Sequence, residues 1–94
     1  MKNISVIGSG TMGNGIAQTF ALFNFNVKLY DINLENLEKG EKTILKNLQR
    51  MVNKEKITSS EAENTISNIE YTADFDSILN ADLVIEVVSE NLKL

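Results

Sequence analysis

The sequence predicts an α/β fold built on a parallel sheet, and three observations carry that prediction. Short β-branched runs alternate with stretches of helical period along the whole chain. Four of the five glycines, Gly8, Gly10, Gly13 and Gly15, cluster where the first strand pattern gives way to the first helical one. An acid, Asp31, closes the second strand pattern. Glycine is costly inside regular structure, so a cluster at a strand–helix junction points to backbone that turns sharply or lies against something.

The elements follow in order. Ile4-Ser5-Val6-Ile7 is a short β-branched run stopped by Gly8, as in a buried strand. From Thr11 onward, Met12, Ile16, Phe20 and Phe23 recur at spacings of three and four, which predicts a helix to about Asn24. After the turn Asn24-Phe25-Asn26, residues 27–31 alternate as a second strand. Strand, helix and strand within about 30 residues make a βαβ unit, whose strands must be parallel.

Leu34, Leu37, Glu41, Ile44, Leu45, Leu48, Met51 and Val52 then mark a long second helix, with Asn33 as its N-cap. Thr58-Ser59-Ser60-Glu61 has the pattern of a capping box, opening a shorter helix through about Ser67. Ile69-Glu70-Tyr71-Thr72 is a third strand, Asp74 caps a helix of one or two turns to Asn80, and residues 83–88 form a fourth strand. Right-handed crossovers put strand three outside strand two and strand four on the far side of strand one. The expected sheet order is therefore 3-2-1-4, with helices on both faces.

Composition narrows the function classes. The 94 residues suffice for one small domain, and 43% hydrophobic with 23% charged content is ordinary for a globular protein. The net charge is −4 and the nine basic residues form no run, which argues against a nucleic-acid surface. No apolar stretch approaches the roughly 18 residues of a membrane helix, so no membrane partner is expected. Met1-Lys2-Asn3-Ile4 enters a strand directly, without the apolar core of a signal peptide. The absence of cysteine excludes disulfides and thiolate metal sites and makes the cytoplasm the expected compartment. Histidine is absent too, removing the commonest general base and the commonest metal ligand. No metal site and no catalytic residue are expected among these positions.

The glycines have the spacing Gly8-x-Gly10-x-x-Gly13. Alone that pattern is weak; directly after a strand and opening a helix it describes a Rossmann-type dinucleotide loop. The first glycine allows the tight turn, the second lets a pyrophosphate approach the backbone, and the third lets helix and strand pack closely. Asp31 stands eighteen residues beyond Gly13, near the spacing of an acid that binds the adenosine ribose. A carboxylate there accepts from the 2′- and 3′-hydroxyls and repels a 2′-phosphate, so NAD is favoured over NADP.

"SVIGSGTMGNGIAQTFAL", "VKLYD" and "ADLVIEVVSENLKL" together make the chain resemble the start of the 3-hydroxyacyl-CoA dehydrogenase family over its whole length. The resemblance implies reversible NAD-linked oxidation of L-3-hydroxyacyl-CoA, with 3-hydroxybutyryl-CoA the expected substrate, to 3-ketoacyl-CoA. It puts the pyrophosphate loop on Gly8, Ser9, Gly10, Thr11, Met12 and Gly13, the ribose acid on Asp31, and a further cofactor-side acid on Glu90. The long helical excursion between Asp31 and Ile69 would help to hold coenzyme A, through Asn47 and Lys54. From sequence alone, however, Lys54 beside Lys56 has the character of a solvated helix-end lysine.

The resemblance further implies that residues 1–94 are the N-terminal portion of a dinucleotide-binding domain. The catalytic remainder and a helical C-terminal domain would lie beyond them, and the intact enzyme would form a homo-oligomer. The 94 residues alone are then expected to be inactive. Two other functions fit the same strand, loop and acid: a stand-alone NAD-sensing regulatory domain, and a dehydrogenase of a related hydroxy acid or sugar acid.

Overall fold

A computed structural model describes residues 2–87. Its elements are β1 (Asn3–Ile7), α1 (Thr11–Leu22), β2 (Asn26–Tyr30), α2 (Leu34–Asn53), α3 (Ser59–Ser67), β3 (Ile69–Thr72), a 3-10 turn (Phe75–Ile78) and β4 (Leu83–Glu86). The four strands form one parallel sheet in the order β3-β2-β1-β4. This is the order that right-handed crossovers require. β1 lies inside the sheet, with Ile4 facing Val27 on one side and Leu83 on the other.

Strand alternation decides what each face meets. Ile4 and Val6 share register rows with Val27 and Leu29, and Val27 pairs with Ile69. These side chains pack with Ala17 and Ala21 of α1, Leu37, Ile44 and Leu48 of α2, and Ala62 of α3, all buried in one core. The three α-helices therefore cover one face. On the other, Ser5 Oγ donates to the Ile78 carbonyl at 2.9 Å and Lys28 Nζ donates to the Ser77 carbonyl at 2.9 Å. Tyr30 meets Phe75 edge to face at 5.4 Å. The 3-10 turn thus seals the second face over β1 and β2, with Ile78 fully buried. Asp82 ties the chain start to β4 by accepting from the N–H groups of Lys2 and Asn3.

Several boundaries differ from the sequence reading, each for a local reason. α1 stops at Leu22 because Asn24 adopts φ 69°, a left-handed conformation that asparagine tolerates and a helix does not. β2 ends at Tyr30, leaving Asp31 just beyond it with its N–H on the Thr72 carbonyl at 3.2 Å. The expected helix from Asp74 to Asn80 is a single 3-10 turn, capped by the Asp74 side chain on Asp76 N–H. β4 ends at Glu86, although Val87 N–H still reaches the Ile7 carbonyl at 3.0 Å; Val88 lies outside the described residues. The Asn33 cap and the Thr58–Glu61 capping box form as the sequence indicates.

The helical period of α1 is correct, but the buried stripe consists of Gly13, Asn14, Ala17 and Ala21. Met12 and Phe23, in the apolar series, are 51% and 72% exposed. Small residues win because α1 lies close to both β1 and α2: Gly40 of α2 sits against the Asn14 side chain with no room for a Cβ between them. A similar split runs along α2, where Ile44 is fully buried and Leu34 is 70% exposed. Ile44→Ala should therefore destabilise the fold by about 2–5 kcal/mol, while Leu34→Ala should change it by no more than about 0.5 kcal/mol. Urea unfolding of both variants measures this, and equal costs would contradict the packing described.

Candidate dinucleotide site

The site begins where β1 ends. Gly8 donates to the Tyr30 carbonyl at 2.8 Å, extending the β1–β2 ladder by one bond, and then turns with φ 107°, a region that favours glycine. Gly10 is the N-cap of α1. Between them the chain doubles back so tightly that a Cβ on Gly13 would collide with the Gly8 carbonyl oxygen. Only glycine allows the first turn of α1 to press onto the end of β1.

That helix start is prepared for an anion. α1 has no side-chain cap and no acidic residue in its first turn. Its first N–H groups and the positive end of its dipole are therefore met by no side chain of the helix itself. Gly10 supplies the complementary observation. A Cβ built there would meet no atom within 4 Å, so nothing within the described protein requires glycine at this position. A partner lying against the backbone would require it. Thr11 and Met12 are exposed beside this opening.

Asp31 stands at the carboxyl end of β2, next to the loop. Ser9 donates to its Oδ2 twice, from the backbone N–H at 3.1 Å and from Oγ at 3.0 Å. Asn33 N–H donates to Oδ1 at 2.9 Å. Partial burial raises the Asp31 pKa, but the hydrogen bonds from Asn33 and Ser9, with a smaller contribution from the Asn36 side chain, outweigh it and hold the carboxyl below the usual range. The group is ionised at neutral pH, as a hydroxyl-binding acid must be.

The structure thus brings together residues 8–13 and Asp31, and it directs Ser9 inward to Asp31. Ser9 is buried, a contact that the sequence reading did not foresee; its only signal was a small hydroxyl residue between two glycines. Asn47 and Lys54 are not brought to the loop. α2 starts at Leu34, directly after the Asn33 cap that contacts Asp31, and runs 20 residues, which carries Lys54 about 30 Å away. Asn47 faces α1, where its amide donates to Gln18 Oε1 at 3.4 Å, and Lys54 is the exposed C-cap. Glu90 lies outside the described residues. No helix among the described residues is long and apolar enough to cross a membrane.

Residues 3–94 match the family described as 3-hydroxyacyl-CoA dehydrogenase, NAD binding domain. The chain belongs to that family. NAD is accordingly the cofactor of this domain, and the open Gly10 backbone, the uncapped helix start and the ionised Asp31 fit it. The chain is 41% identical over 92 residues to a probable 3-hydroxybutyryl-CoA dehydrogenase of Bacillus subtilis, covering 98% of this chain and 32% of that protein. It is 38% identical over 94 residues to a peroxisomal fatty acid beta-oxidation multifunctional protein of Arabidopsis thaliana, covering all of this chain and 13% of that protein. Among solved structures it resembles the (S)-3-hydroxybutyryl-CoA dehydrogenase of Ralstonia eutropha, with a TM-score of 0.92 and 35% identity, over 98% of this chain and 32% of that one. The chain therefore spans about a third or less of the length of these relatives.

The two glycines separate packing from binding. Gly13→Ala should destabilise the domain by about 3 kcal/mol, because a backbone carbonyl must move. Gly10→Ala should change stability by no more than about 1 kcal/mol yet weaken NADH binding more than tenfold. Thermal unfolding and fluorescence titration of both variants measure this; unchanged NADH affinity in Gly10→Ala would contradict the site.

Proposed function

We propose that the protein carrying this chain is an NAD-dependent L-3-hydroxyacyl-CoA dehydrogenase acting on 3-hydroxybutyryl-CoA. The observation that carries the proposal is the uncapped start of α1, opened by Gly10 and flanked by the ionised carboxylate of Asp31. In this reading the backbone of residues 10–13 receives the pyrophosphate, with Gly8 and Gly13 shaping the loop, and Asp31 receives the adenosine ribose. Thr11 and Met12 border the opening, Ser9 supports Asp31, and Glu90, outside the described residues, is assigned as a further cofactor-side acid. The bound dinucleotide supplies the hydride acceptor for oxidation of the 3-hydroxyl carbon.

The proton of that hydroxyl needs a base, and residues 1–94 contain no histidine. The proposal therefore assigns the base to residues outside 1–94, together with the pocket for the acyl chain. Asn47 and Lys54, well along α2, are assigned to the coenzyme A portion of the substrate. The α2–α3 excursion between β2 and β3 supports an acyl-CoA substrate over a bare NAD sensor, which needs no such insertion. A cytoplasmic location and the absence of nucleic-acid or membrane partners belong to the same proposal, supported by the cysteine-free, acidic composition and the lack of a long apolar run; a homo-oligomeric assembly is carried over from the family.

Steady-state kinetics of the full-length protein with acetoacetyl-CoA test both halves of this reading. NADH should be used at least tenfold more efficiently than NADPH. Asp31→Ala should lose about ten- to a hundredfold in NADH affinity, the worth of a hydrogen bond to a charged group, and should narrow the gap to NADPH. No turnover of acetoacetyl-CoA would refute the substrate. Equal use of the two nucleotides by the unmutated protein would refute the role of Asp31.

A further inference from the structure

Ser9 occupies a loop that meets the cofactor, yet neither of its polar donors points out of the protein. Its N–H and its hydroxyl both go to Oδ2 of Asp31, at 3.1 and 3.0 Å, and the residue is only 3% exposed. A carboxylate has about four lone-pair positions. Ser9 fills both of those on Oδ2, and Asn33 N–H fills one on Oδ1 from the more exposed side. The Asn36 side chain is near enough to lower the Asp31 pKa but makes no close hydrogen bond to it, so one acceptor position on Oδ1 is left for a ligand.

We infer that the Ser9 hydroxyl is a positioning group that fixes the Asp31 carboxylate so that Oδ1 is presented to a ribose hydroxyl. The inference rests on the NAD-binding reading and deepens it, because it gives Ser9 a role through Asp31 and not through the pyrophosphate. The physical reason is rotational. Asp31 follows the end of β2 and its carboxylate is free to turn about its terminal bond. Two donors from a neighbouring, buried loop residue stop that rotation before the cofactor arrives, so less ordering remains to be done on binding. The same two bonds couple the glycine loop to the end of β2, so the pyrophosphate and ribose positions are set together.

The hydroxyl also favours the charged carboxylate. The groups that lower the Asp31 pKa are the N–H groups of Asn33 and Ser9, the Ser9 hydroxyl and the Asn36 side chain; no charged side chain contributes to its shift. Binding that needs the ionised form is constant above the Asp31 pKa and is lost as pH falls through it. Removing the Ser9 hydroxyl raises that pKa and therefore moves the acid limb of binding to higher pH.

The test is NAD+ binding by calorimetry on the full chain, for Ser9→Ala, Asp31→Ala and the double variant. Ser9→Ala should bind NAD+ about three- to tenfold more weakly than the unmutated protein at pH 7. In the Asp31→Ala background the same change should cost less than about twofold, since the group it positions is gone. The acid limb of NAD+ affinity should also move to higher pH in Ser9→Ala, because a hydrogen bond to the ionised carboxylate is lost. Ser9→Gly, which likewise keeps the backbone N–H, should behave the same way. An equal loss in both backgrounds would show that the hydroxyl touches the cofactor itself and would overturn the inference. So would unchanged affinity with an unmoved acid limb. The preference of the unmutated protein for NAD+ over NADP+ is read in the same titrations, so failure of the NAD reading is distinguished from failure of the role given to Ser9.

Discussion

The first turn of α1 presses on the Gly8 carbonyl at Gly13, and the other features of the site depend on that contact. A side chain at Gly13 would push the helix away from the end of β1, and the helix N–H groups would no longer face the space beyond the sheet. With the contact in place, the chain must turn at Gly8, where φ is 107°, and start a helix within three residues. The helix then returns antiparallel to β1, which forces β2 to pair parallel and sets Asp31 beside the loop. One close backbone approach thus aligns an uncapped helix start with an ionised carboxylate.

Packing on the helical face serves the same arrangement. Small residues, Ala17 and Ala21, keep α1 low on the sheet, and Gly40 lets α2 approach α1 at Asn14. Larger side chains would lift α1 and open the loop. Asn14 Oδ1 is buried there with no hydrogen-bond partner among the described residues, a local cost of that approach. On the opposite face, Ser5 and Lys28 use backbone carbonyls of the 3-10 turn to close over β1 and β2. Polar strand residues are stable there because each finds an acceptor.

Much of this was legible in the sequence, where local rules and tertiary packing agree. The sheet order, the Asn33 cap, the capping box at Thr58 and Glu61, and the tight glycine turn between β1 and α1 all follow from short-range chemistry or from crossover handedness. The buried face of α1 was not legible, because periodicity marks Met12 and Phe23 as readily as Ala17 and Ala21; only the distance between helix and sheet chooses the small set. The 3-10 turn also departed from the expected helix: only Phe75–Ile78 take helical backbone, and residues 79–82 lead directly into β4. The Ser9–Asp31 link joins residues on different strands' ends, and spacing along the chain carries no trace of it. Asn47 and Lys54 entered through family resemblance, and their place along α2 is set by helix length and not by the loop.

The central claim is that the α1 start and Asp31 form one binding surface for NAD. Two-dimensional 1H–15N NMR of the full-length protein, titrated with NAD+, tests it most directly. The account predicts that the largest shift changes fall on the backbone amides of Ser9, Gly10, Thr11, Met12, Gly13 and Asn33, with little change at Lys54 and the C-terminal turn of α2. Changes confined to other elements, or none at saturating NAD+, would contradict it.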